Sequence, residues 1–397
     1  MSQTERDRFW MRRALNLAVR GYTPPNPMVG CVIVKDDVKV GEGYHTMAGQ
    51  PHAEVEALRV AGSDARGATV YVTLEPCCHT GRTPPCTDAL IAAGVSRVVV
   101  AVRDLDARVK GRGLETLQDA GIQVEYPLLE QQAKEINRAF FHFQQTKLPF
   151  VTLKTAVTLD GKTATSKGDS QWITGSQSRT EVHRLRAQSG AVLTGIGTVL
   201  ADNPRLDARR KNTAYPRQPL RVIVDSLLRT PLDAVGVELT ISDPERYPLL
   251  IAVTDKAEGS RIESFRSNGI GVVQTPTDSS GRVDLPALMF ELGKRQIISV
   301  FTECGSNLNA SLVNEKLVNE YLFFIAPKLI GGNSAPGAIG ELGVKTLPDA
   351  VQLTMTGMKK IGTDVLLRAK PCLCYHGSFC INTSISISIV AVLISFG

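Results

Sequence analysis

Leu74-Glu75-Pro76-Cys77-Cys78-His79-Thr80-Gly81-Arg82-Thr83-Pro84-Pro85-Cys86 decides how the first third of this chain folds, because it leaves a strand and enters a helix. Residues 68–74 are apolar and read as a strand, and residues 87–93 read as a helix closed by Gly94. Upstream, His52-Ala53-Glu54 opens a helix expected over 52–61, with Gly62 as its stop. One imidazole (His52) and two thiolates (Cys77, Cys86) from two elements form the ligand set of a catalytic zinc, with the fourth position open for water. Cys86 falls at a helix start, where the positive dipole end favours a thiolate. Glu54 is too close to His52 along the helix to be a ligand, but it can reach the water and carry its proton. Cys78 and His79 compete for the metal; Cys77 is preferred because it follows Pro76 at the strand end. The pieces are weak singly: a lone His-x-Glu is common, and paired cysteines are often buried thiols. A purely structural zinc would need a fourth protein ligand, which Glu54 is poorly placed to supply.

Outward from this stretch, residues 4–20 show helical spacing, and residues 28–34 and 38–44 form a hairpin turned by Asp36-Asp37. A strand is expected at 97–102, a helix at 114–120 and a strand at 122–126, then one polar helical stretch at 129–147. Lys147-Leu148-Pro149 reads as a linker. A second block follows, with strands near 150–157, 191–195, 220–225, 249–254, 298–302 and 320–326, and helices near 176–189, 285–294 and 307–315. The strands are too apolar for one wet face, so both blocks are expected to be α/β layers with helices on both sides. The domain limits expected are 1–147, 148–370 and an atypical tail, 371–397. That tail holds Cys372, Cys374 and Cys380 beside His376, a poor metal knuckle by spacing, and an Ile/Ser alternation that reads as an appended, aggregation-prone segment.

The chain has 397 residues, with 45 Lys+Arg against 39 Asp+Glu, a formal +6 that is small for this size and demands no nucleic acid. With 43% hydrophobic residues, global disorder is excluded. No apolar run is long enough to span a bilayer, and residues 1–20 lack a secretory core, so a reduced, cytoplasmic chain is expected.

The His-x-Glu…Pro-Cys pairing is the signature of zinc deaminases acting on nucleobases, although here the second cysteine lies nine positions on rather than three. Together with Pro25-Asn26-Pro27-Met28-Val29-Gly30, the long Gly-Arg-Thr-Pro-Pro spacing resembles the bifunctional riboflavin-biosynthesis deaminase/reductase family. The resemblance implies a cytidine-deaminase-like α/β/α domain acting on 2,5-diamino-6-ribosylamino-4(3H)-pyrimidinone 5′-phosphate. It carries over His52, Cys77 and Cys86 as zinc ligands, Glu54 as proton shuttle, and Asn26 and Arg82 as substrate contacts. Asn26-Pro27 also favours a turn regardless of function, and Arg82 suits a solvated loop charge equally well.

In the second block, Gly195-Ile196-Gly197 and Glu303-Cys304-Gly305-Ser306 are loops at strand ends that can turn backbone N–H groups toward a pyrophosphate. There is no G-x-G-x-x-G fingerprint. These segments are similar, in order, to the same family's reductase domain, whose fold resembles dihydrofolate reductase. That likeness implies NADPH-dependent reduction of ribosyl to ribityl. Ala156, Trp172, Thr198, Asp202 and the loop Gly305-Ser306-Asn307-Leu308-Asn309-Ala310-Ser311 would line the cofactor. Ser170, Arg186, Leu206, Arg209 and Glu303 would line the substrate, with Lys154 and Glu303 handling the proton. Each taken alone reads as structural: Lys154 as an ion pair, Trp172 as core. Partners expected are a small phosphoribosyl pyrimidine and a second copy of the chain, as dimer or tetramer, with no nucleic acid and no membrane. Two competing readings are a nucleic-acid-editing zinc deaminase with an accessory domain, which would need base-stacking aromatics in a basic stripe, and a non-enzymatic zinc-stabilised module.

Overall fold

Gly30–Lys35 (β1) and Val38–Tyr44 (β2) pair antiparallel through a turn in which Asp36 and Asp37 both take positive φ. The computed structural model to which they belong describes residues 2–80, 84–106, 108–210 and 213–372. Arg82 of the expected substrate set, and Cys374, His376 and Cys380 of the tail, lie outside the described residues. β1 continues into Thr69–Val72 (β3), Arg97–Val100 (β4) and Gln123–Glu125 (β5), giving the order β2-β1-β3-β4-β5 with β3, β4 and β5 parallel. Cys31, Val32 and Ile33 are each fully buried although successive side chains point to opposite faces, so both faces of this sheet are covered.

The covering helices are Gln3–Ala18 (α1), Ala53–Ala61 (α2), Cys86–Ala93 (α3), Arg112–Asp119 (α4), Glu130–Ile136 (α5) and Arg138–Thr146 (α6). α1 starts at a capping box: Ser2 Oγ accepts from Glu5 N–H while Glu5 Oε2 accepts from Ser2 N–H. α2 lies directly on β2 because Gly43 has no side chain; a Cβ there would come within 2.6 Å of Ala57 N. The single helical stretch expected over 129–147 is instead broken at Asn137. Its side chain does not face solvent: Oδ1 accepts from Met28 N–H (2.8 Å) and Nδ2 donates to Met28 O (2.9 Å), clamping the Pro25–Pro27 loop. A residue that serves the backbone of a distant loop competes with its own helix.

The second sheet is built from Phe150–Thr158 (β6), Ala191–Gly195 (β7), Leu220–Val224 (β10), Leu249–Val253 (β11), Gly271–Gln274 (β12), Ser299–Thr302 (β13), Val318–Ala326 (β14), Leu353–Ile361 (β15) and Asp364–Pro371 (β16). A two-stranded ribbon, Arg209–Arg210 (β8) with Thr213–Ala214 (β9), stands apart. The order is β12-β11-β10-β7-β13-β6-β14-β16-β15, parallel from β12 to β14 and closed by the antiparallel pair β16-β15. Its helices are Ser176–Gln188 (α7), Ile196–Asp202 (α8), Val235–Ser242 (α9), Gly259–Ser267 (α10), Leu285–Lys294 (α11) and Ser306–Asn314 (α12). The β15–β16 hairpin, α9, α10 and β12 were not expected. β16 runs to Pro371, and Cys372 N–H donates to Gln352 O, so the described start of the tail is part of this sheet.

The two blocks share packing. Ile298, at the entrance to β13, is 5% exposed and belongs to the core of the first block with Phe140, Phe141 and Phe143. Arg138 Nη2 donates to the buried Glu320 at 2.9 Å.

Candidate active sites

His52 is the N-cap of α2 and Cys86 is the first residue of α3, so two helix starts deliver ligand atoms to one point. Cys77 joins them from the loop after β3; its carbonyl accepts from the N–H of Thr87, tying that loop to α3. His52 Nδ1 lies 3.2 Å from Cys86 Sγ and 3.5 Å from Cys77 Sγ, and the three atoms fall within 4.8 Å of one another. Two sulfurs and one imidazole nitrogen converging without a disulfide fit a zinc ion. Cys86 and His52 donate toward Cys77, which holds its thiol low, at about 4, while contact with Cys77 and burial push Cys86 up.

Glu54 sits in the first turn of α2, 3% exposed. Burial pushes its carboxyl up to about 7, opposed by the His52 charge and reinforced by Cys77. A cavity of about 430 Å³ opens in front of these groups, lined by Asn26, His45, His79, Asp104 and Gln296 among others. Burial also raises Asp104, to about 6.

Reading the sequence missed two residues here. His45, 2% exposed, places Nδ1 3.1 Å from Pro51 O, so that nitrogen carries the proton; Nε2, 3.0 Å away, then accepts from Asn26 Nδ2. Burial lowers the His45 pKa and keeps the ring neutral in this relay. Glu75, quoted within the motif but given no role, accepts from the N–H groups of Asp104 (3.1 Å), Gly111 (3.0 Å) and Gly113 (3.0 Å). Its position just before Pro76-Cys77 was the only available signal.

The second constellation forms where Glu303, just past the C-terminal end of β13, meets Lys154 in the middle of β6 and Arg186 near the end of α7. Glu303 accepts from Arg186 at both oxygens and from Lys154 Nζ at 3.3 Å. Burial would raise its carboxyl, but the Arg186 and Lys154 charges win and hold it at about 2. Arg186 Nη1 also donates to Asp207 O at 2.9 Å. Asp207, 2% exposed and unforeseen, pairs with Arg205 and Arg209; the Arg-x-Asp-x-Arg spacing was its signal. Burial, and after it the Arg186 and Arg209 charges, push His183 down to about 4 against the opposing charges of Asp207 and Glu303. Leu206 is buried at positive φ between these arginines.

Ser170 Oγ donates to Asp202 Oδ1 at 3.3 Å. Trp172 is 62% exposed rather than core, with Arg179 4.5 Å above its ring. Ala156 lies half-buried on β6, and a Cβ at Gly305 would stand 3.9 Å from Thr198 Oγ1. α12 begins at Gly305 with no side-chain cap, so its first N–H groups are open to an anion such as a pyrophosphate. Leu308 closes on Gly195, and Asn309 Oδ1 is buried without a partner. An uncapped helix start at a strand end fits a phosphate group of a dinucleotide.

Comparison with known proteins matches residues 4–102 to the cytidine and deoxycytidylate deaminase zinc-binding region and residues 149–367 to the RibD C-terminal domain. The chain is 46% identical over 374 residues to the riboflavin biosynthesis protein RibD of Escherichia coli K12, covering 91% of this chain and 98% of that one. A solved RibD of Acinetobacter baumannii (form 1) superposes with a TM-score of 0.83 at 40% identity, over 93% of this chain and all of that one (100%). A diaminohydroxyphosphoribosylaminopyrimidine deaminase/5-amino-6-(5-phosphoribosylamino)uracil reductase of Thermotoga maritima gives 0.78 at 33% identity, over 93% and 99%.

Proposed function

This chain belongs to the RibD family, and from that membership we propose which of its side chains carry each half of a two-step reaction. It is a bifunctional enzyme of riboflavin biosynthesis: a zinc-dependent deaminase of the diaminopyrimidine ribosyl phosphate and an NADPH-dependent reductase of the resulting ribosylaminouracil phosphate. The nucleic-acid-editing reading is not favoured. We assign residues 1–147 to deamination and 148–370 to reduction, with the first residues of the 371–397 tail, Pro371 and Cys372, bonded into the reductase sheet.

The observation that carries the first assignment is the convergence of His52 Nδ1, Cys77 Sγ and Cys86 Sγ beside the buried Glu54 carboxyl. Zinc held by those three supplies the Lewis acidity that makes water a nucleophile near neutral pH. Glu54 would take one proton from the attacking water at its carboxylate and deliver it to the ring nitrogen. It would then take the second proton from the resulting hydroxyl and deliver it to the amine that leaves as ammonia, so the carboxylate ends as it began. His45 orients Asn26 so that the amide oxygen is left as an acceptor for substrate. Arg82 is proposed to hold the phosphate in this half.

In the reductase half NADPH supplies the hydride, with the open start of α12, Ala156, Trp172, Thr198 and Asp202 proposed to line it. The pairing of Arg186 and Lys154 with Glu303 holds both cations together and supports a placement of the sugar beside them. Lys154 Nζ is the proposed proton donor to the ring-opening sugar, and Arg209 with Arg186 holds its phosphate; Ser170 and Leu206 complete that pocket. The thiols of Cys31, Cys77, Cys78, Cys86 and Cys304 are not bridged, which suits a reducing cytoplasm. Among the described residues no helix is long and apolar enough to cross a membrane. β15 bonds to β16 alone and exposes Leu353, Met355 and Met358, which supports a homo-oligomer joined along that edge.

The test is a coupled assay on Glu54→Ala. Ammonia release from the diamino substrate should vanish, while NADPH oxidation with separately supplied deaminated intermediate persists. Loss of both, or of neither, would overturn the assignment.

A further inference from the structure

The deaminase cavity is not enclosed by the deaminase block alone. Gln296 and Ile298, which lead from α11 into β13 in the reductase block, line it together with Phe140, Phe143 and Gln144 of α6. The backbone at Gln296 and Ile298 is held, while the Gln296 side chain is exposed to the cavity mouth. Ile298 is buried in the core of the first block, and Gln296 is held in a closed turn, its N–H donating to Gly293 O at 2.9 Å with φ +59°. The reductase constellation lies at the opposite end of the same strand, because Glu303 directly follows β13 while Gln296 precedes it.

We infer that the reductase block supplies a substrate-binding wall to the deaminase site, in which the Gln296 carboxamide, with that of Gln144, binds the hydroxyl groups of the ribosyl moiety. Neutral groups that both donate and accept match sugar hydroxyls, which do the same. The inference rests on the deaminase assignment above and goes beyond it, naming a specificity-determining residue contributed by the other half of the chain. It gives the fusion a physical consequence: the first reaction reads its sugar with a residue of the second domain. Ile298 acts as a positioning residue, keeping the α11–β13 turn against α6.

The test uses the full-length, zinc-loaded chain carrying Gln296→Gly. Glycine removes the carboxamide and prefers the left-handed backbone found there, so folding is not penalised. Losing one hydrogen bond of this kind raises the deaminase KM roughly three- to tenfold while kcat stays within about twofold. KM for the supplied deaminated intermediate in the reductase assay stays unchanged. Gln296→Asn, which keeps a carboxamide and tolerates positive φ, recovers part of the loss. Unchanged deaminase KM in Gln296→Gly overturns the inference, as does a parallel fall in both activities, which would mark a structural role. If the wild-type chain itself released no ammonia, the deaminase assignment would fail instead, so the two failures are separable.

Discussion

Replacing Glu303 with Gln removes the one carboxylate shared by Arg186 and Lys154 without changing its shape. The ion cluster is well shielded: the side chains of Glu303, Arg186 and Lys154 are 13%, 14% and 14% exposed. Holding Glu303 at about 2 against an ordinary 4.5 corresponds to ~3 kcal/mol at about 1.4 kcal/mol per pKa step. Because the folded value is depressed, that stability is fully present above about pH 4.5 and is lost as pH falls toward 2. At pH 7 the variant leaves Lys154 and Arg186 without their shared carboxylate, Arg186 keeping only its contact with Asp207, at a cost of ~3–5 kcal/mol. At low pH the wild-type Glu303 is itself neutral, so the gap between the two proteins must narrow. Urea unfolding followed by circular dichroism at pH 7, 5, 4 and 3 measures this, taking the transition that coincides at pH 7 with loss of reductase activity. A gap below about 1 kcal/mol at pH 7, or one that stays constant down to pH 3, would refute the reasoning. Activity adds a second reading. With Arg186 and Lys154 no longer fixed by Glu303, reduction should fall by about a hundredfold while ammonia release is untouched.

Three further outcomes are expected. Cys86→Ser should release zinc, measured by metal analysis of the purified chain, and abolish deamination while NADPH oxidation with supplied intermediate survives. His45→Ala frees the Asn26 amide and should raise the deaminase KM about tenfold through loss of its hydrogen bonds; steady-state kinetics unchanged from wild type would sink that role. Met355→Lys on the exposed edge strand should shift the chain toward monomer in light scattering, whereas an unchanged mass would remove β15 from the interface.

The zinc constellation was legible because its chemistry is local. His52 and Cys86 open helices, and Cys77 follows Pro76 in the loop after β3, so type and spacing already pointed to one cation. The alternation of short apolar strands and helices likewise gave the α/β class, since a strand covered on both faces cannot carry polar residues every second position. Other features could only come from folding. Asn137 reads as one more polar residue in a helical run until Met28, far away in sequence, supplies its partner. His45 has no motif around it; its role exists only because Pro51 and Asn26 arrive on either side of the ring. β15 was missed because its apolar residues face outward, reversing the pattern that marks a core strand, whereas its partner β16 buries Leu366 and Ala369. What the residues determined by themselves were the groups able to bind a metal, move a proton or hold a phosphate. Tertiary structure decided which of them share a cavity, and that a turn of the second block closes the first block's pocket, because burial and long-range hydrogen bonds depend on the whole path of the chain.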